Sequence, residues 1–337
     1  MKLLVIGGSQ FVGRHLVAAA AARGDAVTVF NRGKTAAVWP AGVEVRHGDR
    51  KGDLSALAHG TWDAVVDTCG YLPRDVARMA AALHGRVGAY VFVSSVSVYA
   101  SFERPNDEAC ALGVIDDIDT EVVDGRTYGP LKALCEQAAT ARFGERALLI
   151  RPGLIVGPHD PTQRFPYWPA RVARAADGEA VLAPGAAQDG IQVIDARDLV
   201  AFMLRAIEDG RHGPFNLTSP AQTLTMGALL ESCAAAAGCH PRWVWASPAD
   251  LERCGLEAWS DLPVWLPASG EHAAFALADT RAAQAADLQI RPIAQTVADT
   301  LAWYRRLPAD HQAFTKAGLS PEREAQALAQ ISAVAGA

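Results

Sequence analysis

Along the first half of the chain, short runs of consecutive apolar residues alternate with longer stretches that mix small, apolar and charged residues. The runs are KLLVI, AVTVF, VEVRHG, DAVVDT, YVFVSS and ALLIRPG. Between them lie stretches of helical length such as FVGRHLVAAAAARG and PRDVARMAAALHGRV. Continuous apolar strands, rather than strands alternating with polar positions, are buried on both faces, and helices between them make the pairing parallel. The pattern predicts an α/β fold with a doubly wound parallel sheet. In such sheets ligands bind outside the carboxyl ends of the strands.

The second half is less regular. Loops rich in proline and aromatics, GPHDPTQRFPYWP and WSDLPVWLP, separate shorter strands and helices, and six of the eight tryptophans lie here. We expect a dinucleotide-binding domain over 1–157, to which part of 188–215 returns, and a smaller mixed substrate-side domain over 158–310. A helical tail over 311–337 follows, in which Ser320 caps the segment and Pro321 sits in its first turn.

Composition narrows the partners. The chain has 337 residues and a formal net charge of −6. A protein that neutralised many phosphates would lean basic, so nucleic acid is not an expected partner. No run of eighteen apolar residues is present and the first apolar run ends at Gly7, so neither a membrane span nor a secretory leader is expected, and the protein reads as cytoplasmic. The six cysteines, at 69, 110, 135, 233, 239 and 254, lack metal-ligand spacing and read as reduced thiols, with no metal site.

The chemistry begins at the first strand-to-helix turn, IGGSQFVGRH. Gly7, Gln10, Phe11, Val12 and Gly13 form a strand–turn–helix segment of the kind that holds a dinucleotide, with backbone N–H groups and a helix N-terminus aimed at phosphate. At the end of the second strand an NAD enzyme places a carboxylate on the ribose 2′-hydroxyl. Here Asn31 and Arg32 stand there, with Lys34 close behind, which favours a 2′-phosphate and hence NADP, with NAD as the alternative. Asp49 and Arg50 at the third strand end are placed to flank the adenine, or to cap a loop. Asp67 and Thr68 at the fourth are placed beside the pyrophosphate and nicotinamide ribose, with the same alternative.

After the fifth strand comes FVSSVSVYA, and about thirty residues later TYGPLKALCEQ. Tyr128 and Lys132, four apart at a helix start, share one face. A free tyrosine titrates near 10, and an ammonium close by lowers that value toward the range useful for proton transfer. A strand-end serine supplies a hydrogen bond to a carbonyl or alkoxide oxygen.

Together GGSQFVG, SSVSVYA, YGPLK, RPGLIVGP and IDARDL resemble the extended short-chain dehydrogenases/reductases, a Rossmann-fold group that includes NAD-dependent epimerases and dehydratases. The resemblance covers about residues 1 to 305. It implies Ser95 as the catalytic serine, with Ser97 a second hydroxyl, Tyr128 as acid/base, and Lys132 holding the nicotinamide ribose as well as tuning Tyr128. Pro152, in Arg151-Pro152-Gly153, falls in the strand that closes the nicotinamide side. The family also implies a possible homodimer through helices at about 73–86 and 128–142.

Two departures matter. Family dehydratases carry an Asp-Glu pair directly after the catalytic hydroxyl residue, whereas this chain has Val96-Ser97, which disfavours elimination of water. Gln10 stands where the family has a middle glycine, as in relatives of the chloroplast stem-loop-binding type; its amide, or Arg14, is expected to contact phosphate instead.

On the substrate side, Arg164, Tyr167, Trp168 and Arg171 in the loop HDPTQRFPYWPARV are candidates to stack on a ring and pair with an anion of a small-molecule substrate. The alternative is that the aromatics pack between domains. The leading reading is an NADP(H)-dependent reductase or dehydrogenase of a carbonyl/alcohol substrate. A nucleotide-sugar epimerase retaining NAD is the second reading, and a non-catalytic dinucleotide- or RNA-binding relative the third.

Overall fold

The computed structural model describes residues 1–335. The first half builds β1 (Lys2–Ile6), α1 (Phe11–Ala22), β2 (Ala26–Asn31), β3 (Glu44–His47), β4 (Trp62–Asp67), α2 (Pro73–Leu83), β5 (Val87–Val93), α3 (Tyr128–Phe143) and β6 (Ala147–Pro152). There follow β7 (Leu154–Val156), α4 (Arg164–Val172), β8 (Ala180–Pro184), β9 (Val193–Asp195), α5 (Ala196–Glu208), β10 (Gly213–Leu217), α6 (Met226–Ala237) and β11 (Arg242–Ala246). The chain ends with α7 (Pro248–Arg253), α8 (Arg281–Ala285), α9 (Ile293–Tyr304) and α10 (Pro321–Ala335). The six apolar runs in the first half coincide with β1 to β6.

Seven strands form one parallel sheet in the order β10-β6-β5-β4-β1-β2-β3. Its register is set by alternation along each strand, because successive side chains point to opposite faces. Leu3, Val5, Val27, Val29, Val66, Val91 and Ile150 face α1 and α5. Leu4, Ile6, Phe30, Val65, Tyr90, Phe92 and Leu149 face α2 and α3. Each such aliphatic or aromatic side chain removed from water contributes about 1.5–3 kcal/mol, and both faces must be covered for the strands to stay paired. Strand order reverses at β1, between β2 and β4, which places a crevice at the carboxyl ends of these strands.

The chain crosses between its two cores more than once. β9 pairs with β7, α5 packs beside α1, and β10 adds to the sheet edge beside β6. Ala283 and Leu288 also return to the first core. The second core gathers Phe165, Trp168, Leu182, Leu229, Val297 and Trp265 around the parallel pair β8–β11.

The C-terminal segment is helical over Pro321–Ala335 and packs on the second core. Leu319 and Ala327 are buried in the second core, and Glu324 accepts from Arg171 Nε and the Leu182 amide. Its apolar stripe and one buried carboxylate dock α10 against β8. Residues 336 and 337, the end of that segment, lie outside the described residues. Among the described residues no helix is long and apolar enough to cross a membrane.

Candidate active site

The glycine turn is built by close approach. Gly7 and Gly8 adopt φ of +105° and +84°, a region that side chains disfavour. A Cβ at Gly13 would stand 2.7 Å from the Gly8 backbone, so α1 packs against the turn only without a side chain there. Gln10 has an extended backbone (φ −131°) and an exposed side chain, so the residue that replaces the middle glycine fits without strain. Phe11 takes the positive φ, +34°, and Val12 is buried beneath. The turn therefore fits a dinucleotide phosphate: a side-chain-free cradle at Gly7 and Gly8 opens onto the N-terminus of α1.

At the end of β2, Asn31 is held in place. Its Oδ1 accepts from the Gly33 amide at 2.8 Å and lies 3.2 Å from His47 Nδ1, while its Nδ2 donates to Ser9 Oγ. Arg32 and Lys34 are exposed beside it. His47, at the end of β3, was not singled out in the sequence, although its place at a neighbouring strand end is the signal that would have found it.

Arg50 and Asp67 differ from expectation. Rather than reaching toward adenine and ribose, their side chains grip each other: Arg50 Nη1 and Nη2 donate to Asp67 Oδ1 and Oδ2 at 2.7 and 2.8 Å. Tyr90 donates to the same carboxylate at 2.8 Å. Burial alone would raise the Asp67 pKa; Arg50, with help from Tyr90 and the Cys69 amide, outweighs it and leaves the carboxyl below its ordinary value. A fully buried carboxylate needs such a partner, which is why the pair turns inward. Thr68 Oγ1 donates to the Ile6 carbonyl and abuts Gly7, and Asp49 accepts from the Lys51 amide in its own loop.

Ser95, Tyr128 and Lys132 come together above β4 and β5. The first turn of α3 presses on the Ser97 segment, where Gly129 leaves room that no side chain could occupy. This sets the Tyr128 phenol near Ser95, whose hydroxyl works against the upward push on the phenol. Ser95 Oγ also donates to Ser97 Oγ and accepts from the Ser97 amide, both at 3.1 Å. Lys132 Nζ donates to the carbonyls of Val93 at 2.6 Å and Gly70 at 2.9 Å.

The electrostatics of the pair are set by burial. Burial pushes Tyr128 up to about 12, with Tyr71 adding to it and Ser95 opposing. Burial likewise pushes Lys132 down to about 8. In this geometry burial sets the Tyr128 value, and the Lys132 ammonium is directed at two backbone carbonyls. Pro152 is buried at the end of β6, paired in register with Leu217.

On the substrate side three candidates belong to the second core instead. Tyr167 and Trp168 are 1% and 0% exposed, and the Trp168 indole donates to the Pro263 carbonyl at 2.7 Å. Arg171 is buried between Glu324 and Glu179. The amphipathic face of α4 turns inward, where aromatic area is best used. Arg164 differs: it is half-buried, its guanidinium 5.5 Å over the Trp259 ring.

The model of the NAD dependent epimerase/dehydratase family matches residues 64–217. A dTDP-4-dehydro-6-deoxy-D-allose reductase of Streptomyces bikiniensis is 28% identical over 191 residues, 56% of this chain and 51% of the reductase. The chain thus spans about half the length of that curated relative. Among solved structures, the Bordetella bronchiseptica enzyme WbmH in complex with NAD+ superposes with a TM-score of 0.65 at 16% identity, covering 90% of this chain and 98% of that one. The UDP-N-acetylglucosamine 4-epimerase of Bacillus cereus gives 0.65 at 17% identity, covering 91% and 98%. The family match falls on β4 through β10, the part of the sheet that carries Ser95, Tyr128 and Lys132, and over that stretch the chain is similar to the NAD dependent epimerase/dehydratase family.

Proposed function

We propose that the protein is an NADP(H)-dependent oxidoreductase acting on a carbonyl or alcohol group of a small molecule. The observation that carries this reading is the placement of the Tyr128 phenol near Ser95, on the same helix as a lysine held at the ends of β4 and β5. When bound, the dinucleotide supplies or accepts a hydride. Tyr128 gives the matching proton to the substrate oxygen on reduction and takes it back on oxidation, while Ser95 donates a hydrogen bond to that oxygen. A phenol pushed up to about 12 is fully protonated near neutrality, which suits it to protonating an alkoxide. Lys132 fixes the loops after β4 and β5 and supplies positive charge on the same helix face.

The cofactor preference rests on Arg32 and Lys34, exposed beside an asparagine where an acid would select NAD. An arginine pairs with a 2′-phosphate that a carboxylate would repel. Gln10 or Arg14 contacts phosphate from the first turn of α1. The second reading, an epimerase with retained NAD, is supported by structural neighbours that are epimerases, two of them in complex with NAD. It shares Ser95, Tyr128 and Lys132, so only the cofactor separates the two. NADPH oxidation with a panel of carbonyl compounds tests the leading reading. Turnover by the wild type, lost by about 10²–10⁴-fold in Tyr128→Phe, supports it; equal rates in the two contradict it.

A further inference from the structure

The loop after β4 holds a residue that the chemistry above does not use. Gly70, which a side chain would drive into Phe92 and Val76, offers its carbonyl to Lys132 Nζ. The next residue, Tyr71, is 50% exposed, and among the described residues it is the aromatic side chain left most open. Its ring centre lies 6.4 Å from that of Tyr128, tilted by 45°. Lys132 Nζ stands 5.3 Å over the Tyr71 ring. The ring therefore rests on the lysine that organises the site, while half its surface is open beside the catalytic phenol.

An aromatic ring left half in water at the carboxyl end of a strand gives up apolar burial that a core position would provide. Its position accounts for that loss if a ligand covers it. We infer that Tyr71 is a substrate-contacting residue whose open ring is a platform for a cyclic substrate, so that a ring carrying the carbonyl is preferred over an open chain. The shared chemistry is a ring with an apolar face, aromatic or sugar, lying against the phenol ring with the reacting oxygen toward Tyr128 and Ser95. This inference rests on the oxidoreductase reading for the location of the reacting oxygen.

The test compares acetophenone with hexan-2-one in wild type, Tyr71→Phe and Tyr71→Ala, each loaded with NADP+ so that no hydride is available. Dissociation constants come from ligand-observed NMR titration. The expected result is acetophenone bound more tightly than hexan-2-one by the wild type and by Tyr71→Phe. In Tyr71→Ala acetophenone alone weakens, by about fivefold to tenfold. Equal weakening of both ketones, no weakening of either, or no ring preference in the wild type overturns the inference, as does a wild type that binds neither. NADPH oxidation with the same ketones is read in parallel. Ring-selective binding without turnover would remove the reductase reading and leave the platform standing.

Discussion

The Ser97 carbonyl oxygen lies 2.0 Å from where a Cβ at Gly129 would stand. That contact fixes how close the first turn of α3 comes to the serine segment, and so where Tyr128 meets Ser95. Gly129→Ala is expected to force the two apart and to lower kcat by about a hundredfold or more, because a displacement of about 1 Å is costly in a positioned site. Unchanged kcat would show that the contact does not position the phenol.

Arg50, from the loop after β3, reaches Asp67 at the end of β4, past two intervening strands in the sheet. Removing one member of a buried pair strands the other charge and typically costs about 3–5 kcal/mol. Arg50→Met should lower the urea unfolding free energy by about that amount at neutral pH. The sign with pH follows from the depressed carboxyl of Asp67. Its contribution is complete above the unfolded value of about 3.9 and is lost as pH falls through the lower folded value. The gap between wild type and Arg50→Met should therefore narrow in acid. A loss under about 1 kcal/mol at pH 7 would contradict the pairing.

Lys132 titrates in the opposite direction. Burial sets its folded value at about 8, against about 10.4 in an unfolded chain. Between these values the unfolded chain binds a proton that the folded one does not, so the unfolding free energy rises with pH. The thiols of Cys69, Cys135 and Cys233, which burial pushes up, act in the reverse sense; that of Cys233, which Lys132 does not influence, cancels when wild type is compared with Lys132→Met. Relative to that variant, wild-type stability should be flat below about pH 7 and climb by up to about 3 kcal/mol between about pH 8 and pH 10. Urea melts at stepped pH measure it, and a difference independent of pH would contradict a buried ammonium.

The strands, the sheet and the tyrosine–lysine helix were legible because each rests on local signals. Apolar runs mark β1 to β6, and a four-residue spacing puts Tyr128 and Lys132 on one face. What stayed hidden depends on partners distant in the chain. Nothing near Arg50 announces that Asp67 will claim its guanidinium. The RFPYWPAR stretch shows that α4 has an aromatic face, but not that this face turns into the second core and removes Tyr167, Trp168 and Arg171 from the cleft. Tyr71 and His47 escaped because a hydrophobic pattern finds strands and says little about the loops that leave them. Nothing beside Gly129 in the chain announces that the Ser97 carbonyl lies against it.

Gln10 is the one departure in the turn, and its extended backbone shows that a side chain is accommodated there without strain. If its amide supports a phosphate, Gln10→Ala and Gln10→Gly should each weaken dinucleotide binding by about tenfold, the scale of one hydrogen bond to a charged group. Thermal stability should change little, since the side chain is exposed. Unchanged affinity in Gln10→Gly would remove the side chain from the phosphate site.

The most direct test titrates cofactor-stripped wild type and Arg32→Ala with NADPH and NADH in parallel, after reading any nucleotide released from the protein as purified. An empty site on purification is expected, with NADPH bound at least tenfold more tightly than NADH. Arg32→Ala should then lose about 10- to 100-fold for NADPH and nothing for NADH. Retained NAD+, or a preference for NADH, would contradict the NADP(H) assignment and move the epimerase reading to first place.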